Sequence, residues 1–322
     1  IVSILSFSFL NAQLTPPSEL QSYYTGVDFS LTSIALFNDL ATKTISKHTN
    51  ILSYSDRHNY LYNADADLSN SNNVVLMYNG ESRDKREYLS GNNSYSPQTF
   101  NTEHVYPQSL IGNTAKGDLH HLRTCDTSIN SSRGNDPFTD STSSVYGAVG
   151  SAWFPGDAWK GDVARMVFYL NMRYNEPFND VGSLTLFLQW NREDPVSDFE
   201  KNRNETIAAV QGNRNPFIDN PYIATVIWGG TAAENTWSTL SIDTPILNQI
   251  KIYPNPVKGD DLFITSNFTS EVKIFNVLGK LVLTDAVTAL KNKIDISSFK
   301  KGIYLIKVNA KSGTITKKII KN

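Results

Sequence analysis

Cysteine is almost missing from this chain. Cys125 stands alone, which excludes an intramolecular disulfide and any zinc cage built from cysteines. With no motif around it, Cys125 is expected to be a small buried filler. Histidine is scarce as well, five in 322 residues, and no His-Glu-x-x-His occurs, which excludes a zinc protease of that pattern. No apolar run is long enough to span a bilayer. The opening run, Ile1 to Leu10, is short and is followed by Asn11-Ala12-Gln13. Residues 1–12 are therefore expected to be a signal peptide, truncated at its start and cut after Ala12; a buried first strand is the other reading.

What is present describes an ordinary globular protein, 40% apolar and 19% charged. The length exceeds what one core usually organises, so a larger and a smaller module are expected. Charge divides the chain in the same way. Up to residue 247 there are 16 Lys and Arg against 26 Asp and Glu, a net of −10; from 248 onward there are 13, all lysine, against 5, a net of +8. Small and polar residues without a sustained period place a linker at 231–249 between a first domain, 13–230, and a second, 250–322.

In the second module, Ile250 to Tyr253, Leu262 to Ile264, Val272 to Phe275, Leu281 to Leu283, Ile294 to Ile296 and Ile303 to Val308 are short β-rich runs. Turn residues such as Asn255-Pro256 and Lys301-Gly302 separate them, and this recurrence predicts a small antiparallel β-sandwich. Tyr253-Pro254-Asn255-Pro256, the Ile274 to Lys280 turn and the Gly302 to Val308 ending occur in an order that resembles the C-terminal sorting domain of the type IX secretion route. The resemblance implies export through that machinery, to the cell surface or the medium.

In the first module, Leu31 to Ile45 has helical spacing, Asn73 to Tyr78 reads as a strand, and Asp162 to Tyr174 reads as a helix. Helices and strands mix without βαβ regularity, which favours an α+β fold. Three of the five histidines lie within the eighteen residues from His104 to His121. That segment, carried on through Asn130 to Asn135, reads as a strand, a loop, a second strand and a short helix.

Its residue types suit phosphodiester hydrolysis, which needs a base, a divalent cation and positive charge for the phosphoryl oxygens. His104 can take a proton from water. Glu103 and Asn130 offer hard oxygen ligands, suited to Mg²⁺ or Ca²⁺. Arg133 lies three residues beyond Asn130, so on a helix one of them can hold metal while the other meets phosphate; Gly134 is placed to end that helix. One geometric difficulty arises, because adjacent residues of a regular strand point to opposite faces. Either the backbone bulges at Glu103-His104 or one of the two is structural.

Glu103-His104-Val105-Tyr106-Pro107, Asp118-Leu119-His120-His121-Leu122 and Asn130-Ser131-Ser132-Arg133-Gly134-Asn135 together resemble the endonuclease I family of the ββα-metal, His-Me finger class. Further likeness runs through Lys160 to Arg165, Asp194-Pro195-Val196, Glu200 to Asn204 and Gln211 to Asp219. The resemblance implies a ββα-metal nuclease domain with His104 as general base and Glu103 and Asn130 on one Mg²⁺, Ca²⁺ or Mn²⁺ being alternatives. It further implies a secreted, sequence-nonspecific endonuclease that cuts DNA, and possibly RNA, to leave 5′-phosphate ends. Asp118, His120 and Asn135 are candidates for a supporting shell around the base and the metal.

The arginine that some members aim at the phosphate has no counterpart here, and Arg133, Arg123 and Lys116 are candidates to replace it. Position 121 is His where Asn is usual. Trp153, Trp159 and Trp190 are expected to fill the core, and Arg214 with Asn213 and Asn215 to fix a loop. The acidic first module fits a polyanion only through local charge, for which Arg83, Lys85, Arg86, Lys116, Arg123 and Arg133 are candidates. A secreted adhesin with a structural metal site and a small-molecule phosphodiesterase are the competing functions.

Overall fold

The computed structural model describes residues 14–237, 251–265, 269–276, 280–288, 291–310 and 313–322. The expected signal peptide lies outside them. The chain divides into two units, to Trp237 and from Ser238. Of the expected linker, residues 231–237 belong to the first unit, where Ala233 and Trp237 are buried and Trp237 meets Tyr24 and Phe29 edge-on. The remainder lies outside the described residues.

The first unit mixes helices and strands. Helices α1 (Ser18–Tyr24), α2 (Ser33–Lys47) and α3 (Arg57–Ala64) come first. Strands β1 (Ala66–Asp67), β2 (Asn70–Val75) and β3 (Ser82–Asp84) form one antiparallel sheet, and β4 (Phe100–His104) pairs antiparallel with β5 (Leu122–Asp126). Helix α4 (Thr127–Arg133) follows β5 directly, and β6 (Gly147–Val149) pairs with β7 (Ala152–Phe154). The rest is helical: α5 (Lys160–Tyr174), α6 (Leu184–Glu193), α7 (Asp198–Gln211), α8 (Pro216–Asp219) and α9 (Tyr222–Trp228).

Helix α5 is buried from Gly161 through Leu170 and forms the spine of the larger apolar cluster. The expected tryptophans, Trp153, Trp159 and Trp190, all pack there. A second cluster joins Leu61 of α3, Val74 of β2, Phe100 of β4, Leu122 of β5 and Ile207 of α7. The β4–β5 pair therefore lies between two cores, one against each face. The strand expected over Asn73–Tyr78 is shifted: β2 ends at Val75 and Tyr78 adopts φ +75. Cys125 is free and buried in the larger core, as expected of a filler.

The second unit consists of β8 (Lys251–Tyr253), β9 (Asp261–Thr265), β10 (Ser270–Asn276), β11 (Leu281–Val287), β12 (Lys293–Asp295), β13 (Gly302–Ala310) and β14 (Gly313–Lys321). They make two antiparallel sheets, ordered β11-β10-β13-β14 and β12-β9-β8. Leu262, Ile264 and Ile294 of one sheet share an apolar cluster with Val272, Ile274, Ile306 and Val308 of the other. Among the described residues no helix is long and apolar enough to cross a membrane.

Candidate active site

Strand β4 carries the two residues on which the sequence reading turns. Its pairing with β5 runs without a break from Phe100 opposite Asp126 to His104 opposite Leu122. No bulge relieves the alternation, so Glu103 and His104 project to opposite faces. Their neighbours differ accordingly.

On the Glu103 face stands α4. Asp126 caps it, its Oδ1 accepting from the backbone N–H groups of Ser128 at 2.8 Å and Ile129 at 3.2 Å. Gly134 ends it at φ +56, a conformation costly for any residue with a Cβ, as the sequence predicted. Asn130 and Arg133 both reach β4 from this helix. Asn130 donates through Nδ2 to Asn101 Oδ1 at 2.7 Å and to the Thr102 carbonyl at 3.1 Å. Glu103 accepts from the Tyr78 hydroxyl at 2.7 Å and pairs with Arg133 Nε at 3.3 Å. Burial pushes the Glu103 carboxyl above its ordinary range, against the pull of Arg133 and Tyr78.

Arg133 does not stand where the sequence reading placed it. Its guanidinium is 1% exposed and also donates to the carbonyls of Gly134 at 3.0 Å, Val105 at 2.8 Å and His104 at 3.4 Å. It is a buried clamp on Glu103 and the strand end, with no solvent-facing edge for phosphate. Arg123 is likewise enclosed, between Asp65 at 3.2 Å and Asp162 at 3.1 Å. Arg83 pairs with Glu81 and Asp126, and Arg86 with Asp84. Most of the expected basic groove is thus neutralised by its own carboxylates.

On the other face, His104 lies against Tyr54, ring centroids 4.8 Å apart, and 5.5 Å from His121. Its Nε2 is 3.3 Å from the Lys116 carbonyl. A carbonyl can only accept, so Nε2 carries the proton and Nδ1 keeps its lone pair. Burial first, then the neighbouring His121, pushes the imidazole down to about 3, so it is neutral at working pH. Arg57 of α3 is on this side too, donating to Thr102 Oγ1 at 3.0 Å. Sequence reasoning passed over Arg57, although the Ser53 to Asp56 capping box ahead of α3 marks a helix start there.

The expected supporting residues separate. Asp118 is buried and accepts from the hydroxyls of Tyr169 at 2.6 Å and Tyr174 at 2.9 Å and from Gln211 Nε2 at 2.9 Å. Despite burial, the charge of His120 and His48 and these hydrogen bonds hold its carboxyl well below the usual range. His120 meets the Asn213 carbonyl at 3.1 Å, and His121 the Ala115 carbonyl at 2.8 Å. Asn135 is exposed, beyond the end of α4. The motif stretches farther along the chain form the frame behind this network. Arg165 binds Glu200 through two bonds of 2.7 and 2.9 Å, and Arg214 is paired to Asp219 at 2.7 Å.

The residues present suit a hard divalent ion. Among the described residues no group of three or more His, Cys, Asp or Glu could hold a metal. On the α4 face, however, Glu103 uses Oε1 for Tyr78 and Arg133, and Asn130 uses only its Nδ2. One carboxylate oxygen and one carboxamide oxygen are left uncommitted, and Mg²⁺ is commonly held by few protein oxygens with water completing its shell.

A model of the Endonuclease I family matches residues 32–222, and one of the secretion system C-terminal sorting domain matches residues 251–322. An extracellular ribonuclease of Bacillus amyloliquefaciens is 40% identical over 246 residues, covering 68% of this chain and 82% of that protein. The extracellular ribonuclease of Bacillus subtilis (strain 168) is 39% identical over the same shares. An extracellular deoxyribonuclease of Aeromonas hydrophila is 31% identical over 117 residues, 33% of this chain and 51% of that relative.

Proposed function

Because the chain belongs to the endonuclease I family and carries a secretion sorting domain, we propose that it is an exported, metal-dependent endonuclease that hydrolyses RNA and DNA without choosing a sequence. In this reading β4, β5 and α4 are the ββα-metal unit of a His-Me finger nuclease, and the two C-terminal sheets close as a sandwich that serves as the export address. The relatives named for RNA cover 68% of the chain and those named for DNA 33% and 41%, which favours RNA as a substrate beside DNA.

The observation that carries the reading is the His104 imidazole, neutral and with Nε2 turned to the Lys116 carbonyl. That leaves Nδ1 to accept a proton from water. Phosphate drawn beside the ring raises its basicity, since a negative neighbour favours the protonated form. Glu103 and Asn130 would hold the Mg²⁺, with Tyr78 and Arg133 fixing the carboxylate. When bound, the ion supplies positive charge for the leaving 3′ oxygen, so the products carry 5′-phosphate. No bulge brings the imidazole and the carboxylate to one side of β4, so both act only if the substrate backbone crosses the strand end at His104; otherwise Glu103 is structural.

The test is digestion of plasmid and of RNA by wild type and His104→Ala, with Mg²⁺, Ca²⁺ or Mn²⁺ and with chelator, followed by end-group analysis. Loss of about 10²-fold or more in the folded variant, and loss with chelator, is expected. A fully active His104→Ala protein would reject the reading.

A further inference from the structure

We infer that Arg57 and Lys116 form the seat of the substrate phosphate beside His104, an inference that rests on the nuclease reading of that imidazole. The argument begins with charge. Up to residue 247 the chain has 26 carboxylates and 16 basic side chains, so positive charge there is scarce, and most of it is spent internally. Among the described residues, Arg57 and Arg173 are the arginines of the first unit with no carboxylate in ion-pair reach; the others are all paired. Arg173 is turned to His48 Nδ1 at 3.3 Å and lies over the Tyr174 ring.

Arg57 is half-buried and held at three points. Its Nε donates to Thr102 Oγ1 at 3.0 Å, one Nη donates to the Tyr54 carbonyl at 2.7 Å, and its plane stands 3.7 Å from the centroid of the Tyr54 ring. That same ring lies 4.8 Å from His104. Thr102 and His104 are two apart on β4, so the guanidinium and the imidazole share one strand face. The second Nη makes no hydrogen bond among the described residues. A guanidinium already fixed by stacking and two bonds loses little freedom on taking a phosphate oxygen.

Lys116 completes the pair. Its carbonyl is the group that meets His104 Nε2, the residue is half-buried, and its ammonium has no ion-pair partner among the described residues. The charges of Arg57 and Lys116 both act on the His104 imidazole, in a unit that is acidic as a whole. Such a local potential draws a polyanion to that spot rather than to the surface at large.

The experiment measures kcat/KM on RNA and plasmid over a range of NaCl for wild type, Arg57→Ala, Arg57→Lys, Lys116→Ala and His104→Ala. Circular dichroism reports folding. Arg57→Ala is expected to lose on the order of 10²-fold and to flatten the plot of log kcat/KM against log salt by about one unit. Arg57→Lys should recover part of the loss, and millimolar guanidinium should rescue Arg57→Ala but not His104→Ala. An Arg57→Ala enzyme with wild-type rate and salt slope, beside an inert His104→Ala, overturns this inference alone. So does a loss that neither lysine nor guanidinium repairs. An inert wild type under every metal removes the nuclease reading and this inference with it.

Discussion

Replacing Arg133 by alanine distinguishes a clamp from a phosphate ligand. The side chain is 1% exposed, and its partner Glu103 is 3% exposed. Removing it leaves a buried carboxylate with the Tyr78 hydroxyl as its remaining donor and frees the carbonyls of His104 and Val105 at the end of β4 and of Gly134 at the end of α4. Breaking a buried pair from one side costs about 3–5 kcal/mol, because the surviving charge stays desolvated. For a unit of this size each kcal/mol lowers Tm by about 2–4 °C, so the first unit should melt about 6–20 °C earlier by scanning calorimetry. The deficit has a pH signature. Glu103 already sits above its ordinary value and rises further without Arg133; a raised folded value means that acidification favours the folded state, so the deficit should shrink as pH falls. Adding Glu103→Gln to Arg133→Ala should restore part of the lost stability, since no charge is then stranded. If Arg133→Ala melts within about 2 °C of wild type, less than one kcal/mol on this scale, yet cannot cleave, Arg133 faces the substrate and the clamp is wrong.

Two further outcomes follow from the same packing. A Cβ at Gly117 would lie 2.7 Å from the Ser53 carbonyl carbon and closer still to Leu52 O, backbone atoms that cannot swing aside. Gly117→Ala should therefore cost about 1–3 kcal/mol and lower kcat more than it raises KM, because the adjacent Lys116 carbonyl orients His104; unchanged kinetics and melting would contradict this. Burial pushes His120 down to about 4 from 6.5, so its stabilising effect is complete above pH 6.5 and is lost as pH falls toward 4. His120→Gln keeps a donor for the Asn213 carbonyl but does not titrate. Relative to that variant, wild type should lose about 1.4 kcal/mol per pH unit through that window in urea melts, and parallel curves would refute the assignment.

Local patterns in the chain were enough to mark the elements that carry the candidate site. The alternation and turn residues of the C-terminal module predicted its strands, apart from β14, where Lys317-Lys318 interrupts the apolar pattern and only pairing with β13 settles the strand. The strand, loop, strand and helix around His104 were legible from short-range signals such as Gly134 as a stop; the Asp126 cap that opens α4 is shown by the structure. Helix α7 was passed over despite the Ser197 to Glu200 capping box that opens it.

What each side chain faces was decided elsewhere. The period of a strand says that Glu103 and His104 diverge, but not that one meets Arg133 while the other meets Tyr54 and Arg57. Arg133, Arg123 and Arg57 look alike as residues. Two are sealed in with carboxylates and one is not: Asp65, just after α3, and Asp162 of α5 close on Arg123, α4 carries Arg133 to Glu103 of β4, and among the described residues no carboxylate reaches Arg57. Residue type and spacing are properties of the sequence itself. Desolvation and pairing of a charge depend on which surfaces the cores press together, and that is settled only when the chain has folded.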